Sequence, residues 1–312
     1  MPDITVFAPA TVANVGPGFD VLGCAVSGMG DWVTARLIEM PGVHIEAVEG
    51  DAGRLPREAT RNTAGIAALE TLRLLEVRNA GVALRLRKGL PLGSGLGSSG
   101  ASAAAATWAT NLLFGAPLSK HDLLPAGLAA EATVSGWHAD NVGPSLLGGF
   151  ILIRSYDPLE LIELPSPHSI VFVLVHPDFE LPTRKAREAV PETISLAQHV
   201  ANSGNLAALM AALFGGNVRL LGKAISDVIV EPARAPLIPG FAAVKAAALA
   251  AGAYGCSISG AGPTIFAITD DIQSAPMISA AMIDAFGQAG LIASSVISHV
   301  DMDGARAVAP PA

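Results

Sequence analysis

Between Lys88 and Lys120 the chain carries no charged residue, and within that span it changes from Gly, Ser and Pro to a run dominated by Ala. A stretch of this length could on paper cross a membrane, which takes about 20 apolar residues. Its composition argues otherwise. The first third is Gly, Ser and Pro, and the remainder is Ala with Thr, Asn111, Gly115 and Pro117, weakly apolar and poor in Leu, Ile and Phe. A glycine loop leading into a buried helix fits better, and such a helix needs a large core around it. The rest of the chain can supply one: 51% of its residues are hydrophobic and only 15% charged, which excludes a disordered chain. Its 312 residues allow one large or two ordinary domains.

Strand-like and helical patterns alternate along the sequence. Val82, Leu84 and Leu86 alternate with Ala83, Arg85 and Arg87, the period of a half-buried strand. Further strands are predicted over Ile4–Phe7, Trp32–Ile38, Val43–Val48, Phe150–Arg154, Ile170–Val175 and Leu291–Val300. Helices are predicted over Asn62–Val77, Ser99–Phe114, Ser119–Thr133, Leu206–Leu221, Phe241–Ala251 and Ile278–Ala289. Strands often run consecutively before a helix appears, so the pattern suggests an α+β fold rather than a regularly alternating doubly wound sheet. The two prolines and two serines of Leu164–Ser169 place a domain boundary there, giving an N-terminal domain over 1–165 and a C-terminal domain over 166–312.

Charge and cysteine usage exclude several classes of partner. Lys plus Arg total 19 against 27 Asp plus Glu, a net charge of −8, and no basic run marks a nucleic-acid surface. Cys24 and Cys256 sit among small and apolar residues with no metal-type spacing, so they read as packed hydrophobes. Met1–Thr11 holds Asp3 and two prolines where a signal peptide needs a positive end and an apolar run. The expectation is a cytoplasmic protein with neither a membrane nor a nucleic-acid partner.

The most informative segment is Pro91-Leu92-Gly93-Ser94-Gly95-Leu96-Gly97-Ser98-Ser99-Gly100-Ala101, which follows a strand and opens the Ala-rich helix. Glycines let backbone N–H groups approach a ligand closely, and the first amides of a helix lack intrahelical acceptors and carry the positive end of its dipole. Such a site suits phosphate. Ser98 or Ser99 could cap the helix, or one could ligate a Mg²⁺ ion held by the phosphates. The plain alternative is a tight strand-to-helix turn with no ligand. A P-loop fails because no lysine follows the glycines before Lys120. Gly95-Leu96-Gly97-Ser98-Ser99-Gly100 matches G-x-G-x-x-G, but a dinucleotide site needs a second strand ending in an acid about 20 residues later, and Asp122 lies in a helical stretch. Neither the protein-kinase motifs, a G-x-S-x-G elbow nor an H-E-x-x-H zinc helix occurs.

The loop resembles the second motif of the GHMP kinases, small-molecule kinases named for galactose, homoserine, mevalonate and phosphomevalonate. Phe7-Ala8-Pro9-Ala10-Thr11-Val12-Ala13-Asn14-Val15-Gly16-Pro17-Gly18-Phe19-Asp20 is similar to their first motif, and Ser257-Ile258-Ser259-Gly260-Ala261-Gly262-Pro263-Thr264 to their third. His138–Gly149, Leu181–Arg187 and Glu231–Gly240 carry a further likeness to the members that phosphorylate the side-chain hydroxyl of homoserine, an amino-acid alcohol on the way to threonine. The resemblance implies an N-terminal domain like the second domain of ribosomal protein S5 and a ferredoxin-like C-terminal domain. It implies ATP and Mg²⁺, and leaves room for a homodimer.

By the same resemblance, residues 91–101 would hold the ATP phosphates, Asn62 would lie near the adenosine, and Ser98 with Glu131 would hold Mg²⁺. Asn14, Asp20, His138, Asn141, Arg187 and Arg234 would surround the acceptor, with Gly260 and Gly262 bordering the same site. The chemistry agrees with an amino acid, because a carboxylate favours planar guanidinium donors and an ammonium favours an acid or amide oxygen. Asn141, Arg187, Ser98 and Glu131 are the residues expected to carry catalysis. Asn141 is expected to face the acceptor, and Asp140 to bond nearby backbone amides in its turn. The rival readings are a kinase for mevalonate or another alcohol, an NAD-dependent oxidoreductase using the G-x-G-x-x-G match, and a nucleotide sensor without turnover.

Overall fold

A computed structural model describes residues 3–134 and 136–311. The chain runs through β1 (Ile4–Ala13), β2 (Leu22–Ile38), β3 (Gly42–Glu49), α1 (Thr63–Leu74), β4 (Gly81–Arg87), α2 (Ser98–Leu113), α3 (Lys120–Ala132), α4 (Val142–Leu147), β5 (Phe150–Tyr156) and β6 (Leu159–Leu164). It continues with β7 (Val171–Pro177), α5 (Thr183–Glu188), α6 (Leu196–Gly215), α7 (Val218–Ala224), α8 (Val230–Arg234), α9 (Phe241–Ala250), β8 (Gly255–Ile258), β9 (Ile265–Thr269), α10 (Ala275–Gln288), β10 (Ala293–His299) and β11 (Arg306–Val308).

Two sheets result. The first has the order β11-β1-β2-β4-β3, with β5 added to β2 and β6 to β5; the second is β10-β7-β9-β8. Every pairing is antiparallel except β3 with β4. This is the α+β class the sequence pattern suggests. The final strand, β11, returns to pair with β1 in the first sheet.

Helix α2 explains the charge-free span. Ala101, Ala103–Ala106 and Ala109 are all fully buried, and the helix packs against α1, α3, β1 and β2. A methyl group on each buried turn lets neighbouring elements approach closely, where a longer or charged side chain would hold them apart. Around α2 lies a large core that includes Val6, Leu22, Leu84, Leu96 and Phe150. A second core, with Val173, Val244, Ile278 and Phe286, lies under α9 and α10.

Several elements differ from expectation. The single helix predicted over Leu206–Leu221 is two. α6 starts earlier, at a capping box in which Ser195 and Gln198 exchange hydrogen bonds. It ends at Gly216 with φ 64°, and Asn217 then caps α7 through Leu220 N. The periodicity continues across a break that Gly-Gly-Asn imposes on the backbone. β2 also extends far beyond Trp32–Ile38, because its first residues gain ladder partners on β5 that no local pattern reveals.

Candidate active site

The loop between β4 and α2 is held from both ends. Upstream, Lys88 sends its ammonium to the Asp31 carboxylate on β2, to Ser98 O (2.8 Å) and to Ser102 Oγ (2.6 Å). Asp31 in turn accepts from Gly89 N, Leu90 N and Ser102 Oγ. Both charged groups are almost wholly buried, where leaving either unpaired is strongly unfavourable, so the pair fixes the first turn of α2 against the strand. From the other side, the β8–β9 turn grips the loop: Ser259 Oγ donates to Gly95 O at 2.7 Å, and Thr264 donates its hydroxyl and amide to Ser94 O.

Gly93, Gly95 and Gly97 all have positive φ, 63°, 79° and 68°. At Gly97 a Cβ would fall 2.0 Å from Thr11 Oγ1, and at Gly95 2.5 Å from Ser259 O. The helix opens at Gly97 with no side-chain cap, so neither Ser98 nor Ser99 serves as N-cap. The left-handed turn that aims the loop at the helix axis is one that serine adopts only with strain. The first amides of α2 are therefore left for a ligand.

These amides face a cavity of about 450 Å³, within the usual range for a small-molecule site. Leu92, Gly93, Ser94, Gly95, Gly97, Ser98 and Ser99 line it, opposite Asn62 and Glu131. Of the remaining loop residues, Pro91 is exposed, Leu96 and Ala101 are core side chains, and Gly100 makes room for Asn141, whose Cβ lies 3.1 Å from where a Cβ on Gly100 would stand. Asn62 is buried and caps α1, with Oδ1 accepting from Ala64 N and Nδ2 donating to Pro56 O. It builds the cavity wall with both ends of its amide engaged.

A smaller cavity of about 40 Å³ adjoins the first and shares Asn141, Thr183, Gly260 and Ala261 with it. Asn14, Asp20, His138, Asp140, Arg187 and Arg234 line it. The chain enters through a strained loop, with Asn14, Val15 and Asp20 at φ 68°, 45° and 57°. Asn14 holds that loop shut, accepting from Asp20 N and donating to Gly260 O. Arg187 binds the Asp20 carboxylate through two nitrogens at 2.6 and 3.0 Å, a bidentate geometry far more specific than a surface ion pair. Arg234 is 2% exposed and donates to Ala186 O and Gly260 O. Burial and the neighbouring Arg187 pull its guanidinium down to about 10, still protonated at neutral pH. Gly262 turns the β8–β9 connection against Ile238 and lines neither cavity.

His138 Nδ1 lies 3.5 Å from Asp20. Burial lowers its pKa despite that carboxylate, with Arg187 and Arg234 acting in the same direction as burial, so the ring is neutral at pH 7. Asp140 does more than serve its turn: besides a bond from its own backbone amide, its carboxyl lies on the acceptor cavity and meets Asn141 Nδ2 at 3.4 Å. Burial, Asp20 and Glu131 push it up to about 7.

Some residues at the site escape sequence reasoning. Thr11, fully buried on β1, donates to Asn141 Oδ1 at 2.7 Å. With its oxygen engaged, Asn141 turns its amide nitrogen toward Asp140, the orientation a carboxylate neighbour demands. Tyr156 donates to Asp20 O and accepts from Ala139 N, tying β5 to the acceptor loop. Lys88, just upstream of the loop, lines the larger cavity, but its ammonium is engaged by Asp31, Ser98 O and Ser102 Oγ.

Residues 62–149 match the family model described as the GHMP kinases N terminal domain, and residues 208–288 that described as GHMP kinases C terminal. The homoserine kinase of Arabidopsis thaliana is 52% identical over 98% of this chain and 84% of that protein. That of Chlorobaculum tepidum is 44% identical over 99% of both. Among solved structures, homoserine kinase from Cytophaga hutchinsonii aligns at 46% identity over 99% of this chain and 98% of its own, with a TM-score of 0.95. Mevalonate kinase of L. major, at 15% identity, 96% coverage of both chains and a TM-score of 0.72, shares the fold alone. Fold and site together define a small-molecule kinase of the GHMP class. The chain belongs to its homoserine kinase family.

Proposed function

We propose that the chain transfers the γ-phosphoryl group of ATP to the side-chain hydroxyl of L-homoserine, releasing ADP and O-phospho-L-homoserine. The observation that carries this reading is the meeting of two unlike cavities at Asn141 and Gly260: one faced by glycine-loop amides, the other by two guanidiniums and a carboxylate. The amides of residues 93–99 and the N-terminal dipole of α2 receive the phosphates. Ser98 and Glu131 line the same cavity and offer a hydroxyl and a carboxylate, hard oxygen donors that suit Mg²⁺. When bound, that ion supplies positive charge against the phosphate oxygens.

Phosphoryl transfer asks the protein mainly for positioning and charge neutralisation. Arg187 and Arg234 receive the acceptor carboxylate, while Asp20, Asn14 and neutral His138 receive the ammonium. Asn141, oriented by Thr11, donates at the junction and cannot act as a base. We also place the domain division at 165/166, between β6 of the first sheet and β7 of the second, with β11 returning across it to the first sheet, and the protein in the cytoplasm. Among the described residues no helix is long and apolar enough to cross a membrane.

A coupled ADP-release assay over homoserine, mevalonate and galactose tests the acceptor. Homoserine gives the highest kcat/KM; a clear preference for mevalonate or a sugar overturns the reading. Glu131→Gln and Ser98→Ala depress kcat and shift the Mg²⁺ dependence, and an unchanged Mg²⁺ titration in both removes them from the ion.

A further inference from the structure

Phe19 lies in the strained acceptor loop beside Asp20, and its ring centre is 4.8 Å from Arg187 Cζ and 5.1 Å from Arg234 Cζ. The two arginines come from different helices, α5 and α8, yet one aromatic ring is within contact of both. Both guanidiniums are positive and so repel each other; Arg234 is buried, while Arg187 is partly open to water, which screens the repulsion only in part. Asp20 offsets one of them directly through its bidentate pair with Arg187. Arg234 meets main-chain carbonyls at Ala186 and Gly260. The electron-rich face of Phe19 is a source of negative potential common to both cations.

We infer that Phe19 is a positioning residue that holds Arg187 and Arg234 together as one carboxylate-binding unit, and so sets the preference of the site for an acidic over a neutral acceptor. An aromatic face suits this role better than a second carboxylate. It attracts both guanidiniums without neutralising them and without competing, as an anion, for the hydrogen-bond donors that the acceptor carboxylate needs. This inference rests on the reading that Arg187 and Arg234 receive the acceptor carboxylate.

The test compares homoserine with its carboxamide, which keeps the alcohol and the amine but loses the negative charge, in the full-length enzyme. Phe19→Leu keeps apolar bulk and removes the ring. It raises the KM for homoserine about ten-fold, the scale of two weak cation–π contacts, with kcat and the KM for ATP within two-fold. Kinetics on the carboxamide stay unchanged, so the acid-to-amide ratio of kcat/KM falls about ten-fold, and Phe19→Tyr restores it. An unchanged homoserine KM, an equal loss on both acceptors, or no restoration by Phe19→Tyr overturns the inference. Trifluorophenylalanine at position 19 keeps the shape and drains the ring face; it decides the matter if Phe19→Leu does not fold, by raising or not raising the homoserine KM several-fold. Arg187→Gln and Arg234→Gln are the reference arms. If they raise the homoserine KM and loss of the Phe19 ring does not, the role of Phe19 alone fails; if they too leave it unchanged, the carboxylate-site reading fails.

Discussion

Asp140 is 4% exposed, and burial with Asp20 and Glu131 nearby lifts its carboxyl from the ordinary aspartate range to about 7. Because the folded state holds a proton that the unfolded chain has already released, this group favours folding less and less as pH rises from about 4 to 7. Removing the charge should therefore help most above pH 7. Asp140→Asn is expected to gain about 2–3 kcal/mol of stability relative to the parent protein between pH 5 and pH 8, read from denaturant unfolding at both values; parallel pH profiles would refute it. Thr11 acts on the same corner. With Thr11→Val the hydroxyl that engages Asn141 Oδ1 is gone and the amide is free to rotate. The expected result is a kcat lower by about ten-fold, or about 1.4 kcal/mol of barrier, with both KM values little changed. Thr11→Ser keeps the donor and should behave like the parent; if both variants do, Asn141 needs no such orientation.

The unit that matters among the elements is β4, its glycine loop and α2, clasped by the β8–β9 turn. Gly95 sits where the two halves of the clasp touch, and a Cβ there would stand 2.5 Å from Ser259 O and 2.7 Å from Gly262 O at a φ of 79°. Gly95→Ala must either push the loop off the turn or lose the bonds from Ser259 and Thr264 to the loop carbonyls. A KM for ATP raised at least ten-fold and a melting point lower by several degrees are expected, measured by steady-state kinetics and thermal unfolding. Wild-type values in both would show that the loop has slack the geometry denies. At this scale the sequence reads well where the backbone enforces the outcome, as at the three glycines, and poorly where it offers choices. Serine is a good N-cap by composition, yet Gly97 takes that position because of what stands across from it on β1.

For the molecule as a whole, the two cavities share Asn141, Thr183, Gly260 and Ala261 and draw their walls from both sheets' connections. A ligand that bridges such walls stabilises the folded chain by mass action, about 2.7 kcal/mol at one hundred times its Kd. MgATP and homoserine together are thus expected to raise the melting temperature at least as far as the sum of their separate shifts. A combined shift smaller than either alone would mean that the cavities do not serve one reaction. The arrangement that makes this so was only partly legible in the residues. The uncharged run by itself dictates a buried helix, since Ala without charge packs on all sides, and glycines preceding it dictate a loop with free amides, since backbone geometry is local. What brings Arg187 onto Asp20 across 167 positions, or Thr11 onto Asn141 across 130, is decided only when β1, α4 and α5 come together. Side-chain pairing over such separations depends on how strands cross and helices pack, and no periodicity within a single segment records it.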